Sequence, residues 1–290
     1  MIETLQNKVD QAVKLIRLAG SDGQTVEVAY SGGKDSDVIL ELTRMACINY
    51  RAIYKNTTID PPGTIKHAIE NGAEVIKPNQ TFFEICSERG LPNRWHRTCC
   101  AVLKEYKILD KSIMGVRKAE SLKRAAQYKE PTECRFYGSK KNHVEAFYPI
   151  LDWTDQDVSD FIKMRGIKCH PLYYDEQGCF HVERRLGCLG CPLQSHRLRL
   201  EQLRKFPGFI RQYVKTIRKY RATMTERRTE KGYSMEEIIQ SFGGTFDEYE
   251  HVCLNVFCNS RHEFELKFTG LFGRTDCKQF LEEYFNIMLP

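Results

Sequence analysis

The chain has 290 residues, 41% hydrophobic and 28% charged, with a net charge of +6. It is long enough for one core domain plus an appendage, and the moderate positive charge admits an anionic partner without specifying one. No stretch approaches the roughly 20 apolar residues of a membrane span, and the first residues, Met1-Ile2-Glu3-Thr4-Leu5, form no secretory signal. A cytoplasmic location without a membrane partner is therefore expected, and the twelve cysteines read as thiols or metal ligands rather than disulfides.

Ile2, Leu5, Val9, Val13 and Ile16 recur near helical spacing and predict a helix over 2–18, ended by Gly20 to Gly23. The apolar run 26–30 predicts a buried strand. Directly after it comes Ser31-Gly32-Gly33-Lys34-Asp35-Ser36, with a helix expected from Asp37. Two glycines let the backbone approach a ligand, and the amides and dipole at a helix start suit a phosphate that Lys34 can neutralise. The spacing is neither G-x-x-x-x-G-K-[ST] nor G-x-G-x-x-G. The competing reading is an ordinary strand-to-helix turn that uses glycine for its geometry.

Further on, a strand is predicted at 50–54, helices at 64–71 and 81–88, a helix at 102–110 and an apolar run at 112–116. Such alternation predicts an α/β fold, doubly wound, with a mostly parallel sheet covered by helices on both faces and ligands at the carboxyl ends of the strands. In the run Gly115-Val116-Arg117-Lys118-Ala119-Glu120-Ser121-Leu122-Lys123-Arg124, Arg117 and Arg124 offer planar forks for phosphate or sulfate oxygens, and Glu120 can orient one of them. A solvated helix face is the plainer reading of that charge run. After Pro149-Ile150-Leu151-Asp152-Trp153, Thr154 is a natural N-cap with Asp157 at the capping-box position, and Gly166 is the expected C′ residue before Ile167-Lys168-Cys169-His170-Pro171-Leu172-Tyr173.

Cysteines recur in two patterned places. Cys99-Cys100 follows Arg94-Trp95-His96-Arg97-Thr98, and Cys188-Leu189-Gly190-Cys191 comes much later. Thiolates suit an iron–sulfur cluster or zinc, and Cys-x-x-Cys puts two sulfurs on one tight turn around either. Adjacent cysteines are awkward ligands for one tetrahedral zinc, which tilts the reading toward a cluster, with zinc or free thiols as alternatives. Cys169, Cys179 and His96 are substitutes if only one of the adjacent pair binds, while Cys47 and Cys86 read as small buried hydrophobes.

From His196 to Lys231 the chain holds twelve Lys or Arg against three Glu, interleaved with Phe206, Phe209, Tyr213 and Tyr220. This region predicts a helical C-terminal module over 196–290, following a nucleotide domain over 1–195 that includes the cysteine site. Its basic helices are a candidate nucleic-acid surface or a solvated face over a core of Leu198, Leu200 and Leu203. Ser234-Met235-Glu236-Glu237 opens another capped helix, and Gly243-Gly244 breaks the chain again.

The hexapeptide resembles the pyrophosphate loop of the ATP pyrophosphatase, or adenine nucleotide alpha hydrolase, superfamily. The Gly115 to Arg124 run, the Pro149 to Trp153 segment and the Gly166 to Leu172 turn, in that order over roughly residues 24 to 195, resemble the phosphoadenylyl sulfate (PAPS) reductase family. The resemblance implies adenine nucleotide binding by Ser31, Gly32, Gly33, Lys34, Asp35, Ser36, Arg117 and Arg124, with Lys34, Asp35 and Arg117 in the reaction. It also implies a four-iron cluster on Cys99, Cys100, Cys188 and Cys191, as in adenylyl sulfate reductases.

Sulfonucleotide reductases end in Glu-Cys-Gly-Leu-His, whereas this chain ends Phe285-Asn286-Ile287-Met288-Leu289-Pro290. Its intact loop is closer to members that cleave ATP between the α and β phosphates. The implied enzyme uses ATP and Mg²⁺, which Asp35 helps to hold, while Arg117 contacts the departing group. It adenylates an acceptor, releases pyrophosphate and serves sulfur transfer with a sulfur or electron donor protein. The alternatives are reduction of PAPS by a thioredoxin-like donor, or a nucleotide-regulated nucleic-acid-binding protein.

Overall fold

The computed structural model describes residues 4–93, 96–137, 139–242, 244, 247–258, 260–270 and 274–290, with the backbone alone at 139–142. Ile2, the Arg94-Trp95 pair and Gly243, used in the sequence reading, lie outside the described residues. The chain divides into two compact units, residues 1–78 with 103–187, and residues 79–102 with 188–290. The expected boundary after residue 195 thus falls inside the second unit, because 79–102 and 188–195 group with the C-terminal helices.

In chain order the elements are α1 (Leu5–Ala19), β1 (Val26–Tyr30), α2 (Lys34–Ala46), β2 (Tyr50–Lys55), α3 (Thr64–Glu70) and β3 (Glu74–Ile76). Next come α4 (Phe82–Arg89), α5 (Thr98–Leu103), β4 (Lys111–Met114), α6 (Leu122–Gln127), β5 (Thr132–Tyr137), β6 (Ser139–Phe147) and α7 (Asp155–Arg165). The C-terminal helices are α8 (His196–Lys205), α9 (Gly208–Glu230), α10 (Met235–Ser241), α11 (Glu248–Phe257), α12 (Arg261–Phe268) and α13 (Cys277–Phe285).

The first unit is built on a six-stranded sheet of order β3-β2-β1-β4-β6-β5. All neighbours are parallel except β5 and β6, so the fold is α/β, doubly wound and mostly parallel. From β1 the chain steps outward to β2 and β3, then returns to β4 on the other flank of β1. That reversal makes the carboxyl end of β1 the topological switch point, where open α/β sheets bind ligands. Crossovers running in opposite directions from β1 place helices on both faces. The side chains agree, since Phe147 joins the large core with Val28, Ile39 and Phe161, while its neighbour Ala146 joins a smaller core with Tyr128, Tyr148 and Leu151.

Local signals set most boundaries. Thr154 accepts from Asp157 N in a full capping box, and Gly166 ends α7 at φ 62°. Helix α2 begins at Lys34, three residues earlier than the apolar pattern indicates, because the extended Gly33 serves as N-cap and its carbonyl takes the Ser36 and Asp37 amides at 2.9 and 3.0 Å. The expected helix over 102–110 does not form. Helix α5 stops at Leu103, and Lys55 Nζ donates to the carbonyls of Tyr106 at 2.6 Å and Lys104 at 3.4 Å, capturing acceptors that a helical ladder would have used.

The second unit holds α4, most of α5, and α8 to α13. Its core joins Leu203, Ile210, Val214, Ile217, Val252 and Leu281, none more than 1% exposed. Burying each such side chain stabilises the unit by about 1.5–3 kcal/mol. Among the described residues no helix is long and apolar enough to cross a membrane.

Candidate functional site

Strand β1 delivers the hexapeptide to the switch point. Gly32 has φ +75°, and a Cβ there would lie 2.8 Å from Thr64 Cγ2, so both conformation and space call for glycine. Ser36 Oγ donates to the Gly33 carbonyl at 2.7 Å and Ser31 Oγ to Ser36 Oγ at 3.3 Å, closing the turn on itself. Helix α2 has no side-chain cap, which leaves its N-terminal dipole open to an anion. Lys34 N donates to the Tyr173 hydroxyl at 3.2 Å, and the same oxygen accepts from Leu186 N at 3.2 Å.

Lys34 and Asp35 occupy the first turn of α2. The Lys34 side chain is only 4% exposed, with Nζ 3.3 Å from Asp35 Oδ2 and 5.5 Å from the centre of the Tyr173 ring. Asp35 in turn meets Arg117, whose Nε is 2.6 Å from Oδ1. The other guanidinium nitrogens reach the Trp153 carbonyl at 3.3 Å and Asp155 Oδ1 at 2.8 Å. Burial works against the Arg117 charge, but Asp35 and Asp155 outweigh it and raise its pKa. Because these acceptors occupy the fork of a fully buried side chain, Arg117 is not displayed to a leaving group as the sequence reading has it. It fixes the Asp35 carboxylate instead.

Arg124 pairs with Glu120, whose backbone carbonyl accepts from Arg185. Burial and the nearby Arg185 charge lower the Arg124 pKa. Sequence reasoning missed Tyr173 and Arg185 as site residues. Tyr173 was visible only as the end of the His-Pro-Leu-Tyr turn, and Arg185 only as half of an Arg-Arg pair.

One residue past the loop, Asp37 is buried. It accepts from the Tyr30 hydroxyl at 2.5 Å and lies 3.0 Å from His67 Nε2, tying α2 to β1 and α3. Burial raises its pKa despite these bonds. A cavity of about 220 Å³ opens at the carboxyl ends of the strands, bordered by Ser31, Tyr54, Lys55, Met114, Arg135 and Tyr137. A larger hollow of about 640 Å³ lies along α2 beside Glu41, Arg44 and Arg165, and no residue of 31–36 lines it. Position at the switch point, rather than size, makes the smaller cavity the nucleotide candidate.

The second unit contains all four patterned cysteines. Cys99 and Cys100 share α5, and Cys188 to Cys191 form a turn in which Cys191 N donates to the Cys188 carbonyl at 3.3 Å. The hydrogen bond to Cys100 and then burial push the Cys99 thiol up, with Cys86 and Cys188 adding to the effect as near neighbours. Tyr213 covers the turn: its hydroxyl donates to the Leu189 carbonyl at 3.4 Å, and a Cβ on Gly190 would lie 2.5 Å from that hydroxyl. Cys86 is a buried thiol as expected, and burial pushes it up to about 12, whereas Cys47, also expected to be buried, is exposed. Cys169 and Cys179 belong to the first unit, where burial and then the Asp37 charge push the Cys169 thiol up. All twelve cysteines are unbridged, and among the described residues no group of three or more His, Cys, Asp or Glu is arranged to hold a metal ion.

A glycine loop at the switch point of a doubly wound sheet, with a lysine in the first helical turn, defines the class as adenine nucleotide alpha hydrolase-like. Within that class, the model of the phosphoadenosine phosphosulfate reductase domain matches residues 25–194, more than half of the chain, and the chain belongs to that family. An uncharacterized protein of Methanocaldococcus jannaschii is 26% identical over 83% of this chain and 57% of its own length. An adenosine 5′-phosphosulfate reductase of Streptomyces coelicolor is 28% identical over 51% of this chain and 68% of its own. The chain spans 38–57% of the length of the first three curated relatives it matches. A crystal structure of PAPS reductase from Candida auris in complex with phosphate overlays with a TM-score of 0.45 at 16% identity, covering 65% of this chain and 95% of that one.

Proposed function

We propose that the protein is an adenine-nucleotide-dependent enzyme of sulfur metabolism that cleaves ATP at the α-phosphate. What carries this reading is the Ser31–Ser36 loop at the carboxyl end of β1, whose helix start has no side-chain cap and whose Ser31 borders the cavity there. The loop amides and Lys34 take the phosphates. Asp35, oriented by Arg117, faces Mg²⁺, and Arg124 with Arg185 adds positive charge for the departing group. An acceptor nucleophile attacks the α-phosphorus, the bond to the bridging oxygen breaks, and pyrophosphate leaves with that electron pair. Positioning and charge neutralisation supply most of the rate.

Cys99, Cys100, Cys188 and Cys191 are the proposed ligands of a four-iron cluster. Neighbouring residues on a helix point about 100° apart, which suits a ligand held at separate corners more than a single ion. Bound there, the cluster supplies a thiophilic metal site for a sulfur donor or for substrate. Zinc on the same thiolates is the alternative. The acceptor class favoured by the surface is nucleic acid, since Arg204, Lys205, Arg211, Lys215 and Lys219 are exposed while Leu203, Ile210, Val214 and Ile217 form the core.

The metal-replete protein incubated with Mg-ATP and RNA or DNA should release pyrophosphate and AMP or an adenylated product, never ADP. ADP and phosphate as the products would overturn the reading. Sulfite released from PAPS in the presence of a thioredoxin-like donor would replace it with the reductase alternative.

A further inference from the structure

We propose that the C-terminal helical unit carries a thiol–disulfide exchange site for a small zwitterionic disulfide, with Cys277 as the attacking thiol and Cys253 as the resolving one. Cys277 is the first residue of α13, capped by Asp276, and it lines an open cavity of about 480 Å³. Cys253, on α11, has no exposed surface. Its Sγ donates to the Cys277 carbonyl at 3.9 Å, which sets Cys253 directly behind the first residue of α13. One thiol therefore borders space where a ligand can enter, and the other waits behind it in the core.

The cavity supplies both signs of charge. Arg274 and Lys278 line it together with Asp247 and Glu250, Arg274 being paired with Glu250, so groups of both signs border the space that the carboxylates and ammonium groups of an amino-acid or peptide disulfide would enter. The hydrogen bond from Cys253 holds the Cys277 thiol below its ordinary pKa against burial and the charges of Asp247 and Asp276, with Arg274 assisting. The same bond, and then burial, push Cys253 up. A thiolate at a helix N-terminus is the reactive form. Cys258 is also buried close by, but it is the Cys253 thiol that bonds to the Cys277 backbone.

The exchange balances without any further oxidant. The Cys277 thiolate attacks one sulfur of the small disulfide, forming a mixed disulfide and expelling one thiolate, which takes up a proton. Cys253 then loses its proton and attacks Cys277 Sγ, expelling the second small thiol. The protein pair is oxidised by two electrons and the small disulfide is reduced to two thiols. None of these groups belongs to the nucleotide loop or to the proposed cluster ligands, so the site stands or falls separately.

The full-length protein is treated with oxidised glutathione and mapped by peptide mass spectrometry. The expected product is a Cys253–Cys277 cross-linked peptide, lighter by two hydrogens and restored by dithiothreitol. Cys253→Ser should instead accumulate a glutathione adduct on Cys277, Cys277→Ser should give neither product, and Cys258→Ser should behave as wild type. Should a variant fail to fold, alkylation of the native wild type decides, with Cys277 expected to react faster than Cys253 and Cys258. A pair that stays reduced, a cross-link involving Cys258, or equal alkylation of the three thiols overturns the proposal.

Discussion

Arg117 Nε stands 2.6 Å from Asp35 Oδ1, and this pair joins the end of β4 to the first turn of α2. The arginine is 1% exposed, so the pair holds the Ser31–Ser36 loop from inside the first unit. Replacing Arg117 by Met removes the counter-charge from Asp35 and Asp155. The first unit should lose about 3 kcal/mol in urea denaturation, with Lys restoring only part because it lacks the fork. A variant as stable as wild type would mean that Arg117 does not anchor the loop.

Gly115 sets how closely β4 approaches that turn. A Cβ at this position would lie 2.9 Å from the Asp35 carbonyl, a backbone atom that cannot swing aside. Gly115→Ala should therefore cost about 1–3 kcal/mol as overpacking and weaken nucleotide binding, measured by calorimetry. Gly208→Ala, where a Cβ meets nothing within 4 Å, is the control and should leave both unchanged.

Acid should destabilise the protein in a defined window. Burial, then the charge of His67, lowers the His170 pKa from 6.5 to about 4. The folded state thus favours the neutral ring, and the unfolded chain takes up the proton first as pH falls. Stability due to this residue is complete above pH 6.5 and declines toward pH 4. His251, also lowered to about 4 by burial and then Arg221, acts in the same sense in the second unit. His170→Asn should flatten part of the denaturation profile across this window, and an unchanged profile would exclude His170 as a source.

Metal content separates the two sets of cysteines. Cys188→Ser and Cys99→Ser should lose most of the iron, sulfide or zinc found by elemental analysis after anaerobic purification. Cys179→Ser, in the other unit and exposed, should retain it. Tyr213→Phe removes the hydroxyl that holds the Leu189 carbonyl, and it should change the spectrum of the bound centre more than its amount.

Features encoded by neighbours in sequence were the legible ones. Strand β1, the glycine turn and the Thr154 to Gly166 helix each carry their own apolar run, cap or turn residue. The parallel sheet followed from their alternation. The three-residue β3 and the β5–β6 hairpin were not read at all, because pairing rather than local pattern makes them strands. Residues 102–110 read as a helix in the sequence, yet a distant side chain, Lys55, captures the carbonyls of Lys104 and Tyr106. The site divides in the same way. Lys34 and Asp35 could be found from the loop, while the occupation of Arg117 by Asp35 and Asp155 depends on residues 82 and 38 positions away.

The central claim is that Lys34 and the loop amides bind the phosphates of an adenine nucleotide. Thermal stabilisation of the full-length protein by Mg-ATP, wild type against Lys34→Ala, tests it most directly, since a ligand at about 100 times its Kd adds roughly 2.7 kcal/mol. The account predicts a clear upward shift for wild type that Lys34→Ala largely loses, with the melting of the ligand-free variant confirming that it folds. No shift in wild type, or an equal shift in both proteins, would contradict it.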